Sequence, residues 1–130
     1  ENGEITEGTR EDYYVTLMAG IFRSVRFGAS SAHGKANMIR FNFFKERGAF
    51  TRNESGQYRV NMDKMKLAIA ELSDQILQLQ GNGDYDAARN FAENMGFVGE
   101  ILKADLERVN QRGIPTDIVF EQGIKALNLK

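Results

Sequence analysis

Three times in the first eighty residues, a side chain able to cap a helix precedes an apolar stripe of helical period, and glycine follows the stripe. Thr9, with Arg10, Glu11 and Asp12 behind it, opens the first of these, and Gly28 is its natural stop. Between them Tyr14, Leu17, Met18, Ile21, Phe22 and Val25 make one apolar face. Ser30 or Ser31 opens a second helix that runs to Arg47 and stops at Gly48. Asn61 caps a third, whose stripe of Met65, Ala68, Ile69, Leu72, Ile76 and Leu79 is predicted to be buried, and which Gly81, Asn82 and Gly83 end. Punctuation of this kind commits most of the chain to helix before any tertiary contact is considered.

The remainder follows the same logic. Asp84 caps a fourth helix over about Tyr85 to Met95, and a fifth is predicted from Phe97 to Arg112, closed by Gly113 and Pro115. Between the second and third helices, Phe50 on one side and Tyr58 and Val60 on the other flank the turn-forming Asn53, Glu54, Ser55 and Gly56, a hairpin signature. Residues 1–8 read as a flexible lead-in, and Ile118 to Phe120 suit a short strand. The fold class expected is mainly α: one compact helical domain, residues 1–130, of about five helices with one inserted β-hairpin.

Composition narrows the function classes. Seventeen Lys and Arg against eighteen Asp and Glu leave a net charge of -1, without the basic surplus of a nucleic-acid binder. With no cysteine there are no disulfides, no thiolate nucleophile and no cysteine-ligated zinc. No apolar run is long enough to span a membrane, so no membrane partner is expected. The N-terminus has no signal-peptide pattern and does not begin with Met, which fits a fragment of a longer parent.

His33 is the only histidine, so a zinc site with three protein ligands, or a His-Glu-x-x-His pair, cannot be assembled from the usual donors. Ser30 and Ser31 lie near His33 but occupy helix-cap positions, and Asp84 and Asp86 read as first-turn charges. The Gly81–Asp84 run lacks the strand and glycine spacing of a phosphate loop. His33 nevertheless has a defined setting in the first turn of the second helix, with Asn37, Arg40 and Phe44 on the same side. Ala36, Ile39 and Phe43 form a separate side suited to packing, and Phe41, Phe43, Phe44 and Phe50 read as core, with Arg40, Lys45 and Arg47 as the solvated face. Such a helix could line a cleft.

The run AHGKANMIRFNFF, the hairpin, and then MDKMKLAIAELSDQILQLQGNGDYDAARNFAEN resemble, in the same order, the C-terminal part of the dipeptidyl-peptidase III family. The matching pieces are Ala32-His33, residues 49–60, residues 62–80, Gly83-Asp84 and Ala87-Ala88, and the likeness runs from about Tyr13 onward. It is greatest to a branch of peptidase-like relatives, some fused to a Nudix hydrolase domain. The resemblance implies a zinc peptidase whose metal is held by a His-Glu-x-x-Gly-His helix and a later Glu, all ahead of this region. This chain would then carry no cofactor and be inactive alone, with zinc in the full-length parent.

The resemblance also implies that His33 faces the substrate cleft and helps stabilise the oxyanion, with Asn37 and Arg40 as substrate-binding neighbours. Asn37 stands where the family usually has Arg, and Arg40 is the nearest cation that could stand in for it. The partners implied are the zinc-bearing remainder of the parent and a peptide substrate. The compartment expected is the cytoplasm, or the periplasm if the parent carries a signal. The alternative reading is a helical scaffold module of a parent that has lost peptidase activity.

Overall fold

The structure is a computed structural model and describes residues 7–113. Its elements are α1 (Arg10–Val25), α2 (Ala32–Glu46), β1 (Phe50–Arg52), β2 (Tyr58–Val60), α3 (Met62–Asn82), α4 (Tyr85–Met95) and α5 (Glu100–Asn110). Among the described residues these are five helices and one antiparallel hairpin, the mainly α class that the sequence predicts. The described residues fall into two units, one ending at Gly99 and the other starting at Glu100. Residues 1–6 of the predicted lead-in and the strand over Ile118 to Phe120 lie outside the described residues.

The caps form where short-range chemistry calls for them. Thr9, Ser31, Asn61 and Asp84 each accept a backbone N–H from the first turn of the helix that follows. At α1 the box is reciprocal: the Asp12 carboxylate accepts from the Thr9 backbone N–H at 2.7 Å and from its hydroxyl at 2.8 Å. These two bonds, the backbone one foremost, hold the Asp12 carboxyl below the ordinary aspartate range. Gly83 closes α3 with φ at 64°, in the left-handed region.

In the first unit α2 is the central element, packed against α1, α3, α4 and β1. Phe41, Asn42, Phe43 and Phe44 are consecutive and all buried. Around Phe41 an aromatic cluster joins Phe22 of α1 to Phe50 and Tyr58 of the hairpin, with ring centroids 4.6 to 6.3 Å apart. The strands pair in the register Phe50 with Val60, Thr51 with Arg59 and Arg52 with Tyr58. The core reading of the phenylalanines is therefore correct.

Several expectations need correction. The α3 stripe is fully buried only at Met65, Ala68 and Leu72; Ile69 and Leu79 are half-buried and Ile76 is 41% exposed. Arg47 is not simply solvated: its guanidinium lies 3.4 Å over the Phe43 ring and donates to Glu71 at 2.6 Å. Phe44, placed with His33 on a cleft-lining side, is 2% exposed, so that side runs into the core at its C-terminal end. The fifth helix starts at Glu100 rather than Phe97, and the Phe97 carbonyl instead accepts from the Asn42 side chain at 2.9 Å. The first helix ends at Val25, and Phe27 and Gly28 close it with bonds to Ser24 and Val25 carbonyls.

Two helical glycines have opposite consequences. Gly34 packs against the backbone of Gly28, and a Cβ there would sit far inside contact distance of the Gly28 carbonyl oxygen. Gly20 in α1 has open space around it. Helix propensity alone favours alanine at both by about 0.5–1 kcal/mol. Gly20→Ala should realise that gain in chemical denaturation, whereas Gly34→Ala should lose about 2 kcal/mol, since a backbone oxygen cannot rotate away. The capping box carries a pH signature of fixed sign. With its folded pKa lowered, Asp12 contributes fully above the ordinary aspartate value and loses its contribution as pH falls through the lowered one. The protection factors of amides in the first turn of α1, taken relative to their intrinsic exchange rates at each pH, should therefore fall on acidification through that window.

Candidate functional site

The residues singled out by sequence sit on the outer side of α2. The helix begins here because the Ser31 hydroxyl accepts the Gly34 N–H at 3.0 Å, and that cap places His33 in the first turn, exposed. Asn37, one turn on, is half-buried, and Arg40 is exposed. The structure joins two of the three: Arg40 donates through Nη1 to Asn37 Oδ1 at 3.0 Å. The Asn37 amide nitrogen in turn donates to Ser24 Oγ of α1 at 2.7 Å. His33 has no hydrogen bond to these residues and leaves its imidazole open to a visiting group.

The Ser24–Asn37–Arg40 chain was not legible from spacing. It has two effects: it braces α2 against α1, and it restricts the Arg40 guanidinium, which would otherwise sample many rotamers. A short side chain suits the brace. Ser24, a polar residue beside the apolar face of α1, was the available signal.

Arg40 also belongs to a second feature, an open groove of about 270 Å³ between α2, α3 and α4. Its walls are Ala36, Ile39 and Arg40 from α2, Leu72, Ile76, Leu79 and Gln80 from α3, and Ala88, Phe91 and Ala92 from α4. Arg40 supplies the groove's cation, and the lining contains no carboxylate. α4 is amphipathic yet buries none of its residues fully. Its C-terminus is pinned instead by Asn42, whose amide donates to the carbonyls of Met95 at 2.8 Å and Phe97 at 2.9 Å. Neither His33 nor Asn37 lines the groove.

Among the described residues, no group of three His, Cys, Asp or Glu is placed to hold a metal ion. No helix among them is long and apolar enough to cross a membrane. The described residues therefore do not fit the zinc that the family resemblance implies.

No protein-family model matches the chain. Nudix hydrolase 3 of Arabidopsis thaliana is 37% identical over 116 residues, which cover 89% of this chain and 15% of that protein. The structure of dipeptidyl-peptidase III from Corallococcus sp. strain EGB superposes with a TM-score of 0.76 and 34% identity, covering 89% of this chain and 21% of that one. That of the enzyme from Caldithrix abyssi gives 0.72 and 37%, over 81% and 20%. The chain thus spans about one fifth of the length of the solved structures it matches. At these identities and scores the likeness to dipeptidyl-peptidase III is one of sequence and fold together, and it runs over most of this chain.

Proposed function

We propose that this chain is one segment of a longer dipeptidyl-peptidase III-like zinc peptidase, in which it forms part of the substrate-cleft wall and has no activity alone. The observation that carries this reading is the match to two dipeptidyl-peptidase III structures over four fifths or more of the chain, with an exposed histidine opening α2. The described residues do not fit a zinc site, so the metal would be held by the rest of the parent, and the chemistry assigned to this chain does not run through it. His33 donates a hydrogen bond to the carbonyl oxygen of a bound peptide as negative charge builds there. That interaction strengthens between ground state and transition state, which is what accelerates a reaction. Arg40, held by Asn37, is the cation available to a peptide carboxylate. The parent would act in the cytoplasm, or in the periplasm if it carries a signal.

A second reading has its own support. The Asn37 amide is committed to Ser24 and Arg40, which makes this turn of α2 a structural brace, as expected of a helical scaffold whose parent has lost peptidase activity. Two measurements on the zinc-loaded parent separate the readings. His33→Ala should lower kcat by about 10²–10³-fold while changing KM little, and His33→Asn, which keeps a donor, should recover part of the loss. An unchanged kcat removes His33 from the cleft chemistry, and a zinc-loaded parent without turnover leaves the scaffold. Ser24→Ala and Asn37→Ala, alone and combined, should show a coupling of about 1 kcal/mol in stability. Additive effects would mean that the 2.7 Å bond contributes nothing as a brace.

A further inference from the structure

We propose that the groove between α2, α3 and α4 docks an apolar, acid-bearing segment of the same longer polypeptide, contributed from outside this chain. This rests on the reading above that the chain is part of a longer protein, and it assigns Arg40 to a carboxylate of that protein instead of one on the substrate. The apolar stripe of α3 continues past the core to Ile76 and Leu79, and α4 is amphipathic with no residue fully buried. Both faces meet in one open groove rather than scattering over the surface, and contiguous apolar surface of this kind marks a contact. The solved relatives are about four times the length of this chain, so a large polypeptide stands outside it to supply an occupant.

Charge selects the kind of occupant. Arg40 stands at the groove with its guanidinium oriented by Asn37, which is itself anchored on Ser24. An arginine held in place recognises a carboxylate at little further entropic cost. A second copy of the chain fits poorly: a two-fold contact of groove on groove would bring Arg40 towards Arg40, with no carboxylate in the lining to separate them. An apolar segment carrying Asp or Glu satisfies both features of the groove.

The test compares neighbouring positions in the full-length parent. Ile76 lines the groove and Leu77 does not, although both are exposed in this chain, at 41% and 64%. Thiol labelling of Ile76→Cys, mapped by mass spectrometry, should run on the order of 100-fold slower than that of Leu77→Cys, because only the first is covered. Leu79→Cys repeats the measurement in the same groove if Ile76→Cys does not fold. Equal rates overturn the proposal. A photoreactive side chain in place of Gln80 should cross-link to parent residues outside this chain; capture of a second copy, or of residues 114–130, overturns it. Arg40→Glu should raise labelling of Ile76→Cys by about tenfold, and an unchanged rate overturns the acidic occupant. A parent without peptidase activity in which Ile76→Cys is still protected refutes the enzyme reading and leaves the docking site standing.

Discussion

Four consecutive residues of α2, Phe41 to Phe44, are buried, and a helix can bury four in a row only if it has neighbours on every side. The rest of the first unit answers that demand. α1 and the hairpin cover Phe41, α3 and α4 flank the opposite sides, and Phe43 meets Phe91 of α4 with ring centroids 6.3 Å apart. Truncating one such phenylalanine to alanine typically costs about 3–5 kcal/mol, a large share of a small domain's net stability. The one polar member, Asn42, is tolerated because its amide has two carbonyl acceptors at the end of α4. It holds α4 in place where apolar packing does not.

That arrangement also explains the position of the candidate site. α2 is enclosed over residues 41–44, and His33, Asn37 and Arg40 all precede that stretch. The close approach of Gly34 to Gly28 sets how the start of α2 meets the end of α1. Ser24 and Asn37 fasten the same junction with a polar contact. The surface available for recognition is therefore built on the most firmly positioned helix of the unit, which suits groups that must be held to within a fraction of an ångström.

Local chemistry was legible and distant chemistry was not. The caps at Thr9, Ser31, Asn61 and Asp84, the hairpin turn and the aromatic core could all be read, because each depends on residues a few positions apart or on strong periodicity. Ser24 with Asn37, and Asn42 with Met95 and Phe97, join residues 13 to 55 positions apart, and no spacing rule points to them. The α3 stripe shows a subtler limit. Periodicity identified the apolar side of that helix correctly, yet it could not say how far along α3 the neighbouring helices would reach. His33 was found by its isolation as the sole histidine, and the groove, made by three helices at once, left no signature in any one of them.

The hairpin has a consequence for solubility. A sheet of two strands consists only of edges, and open edges are templates on which other chains can pair. Here each strand is three residues long, and the exposed side chains are Thr51, Arg52 and Arg59. An incoming strand would find few free backbone groups and would meet guanidinium charge on both sides. The inward positions, Phe50 and Tyr58, are already held by Phe22 and Phe41. The hairpin that lends Phe50 and Tyr58 to the aromatic core thus offers little edge for another chain to pair on.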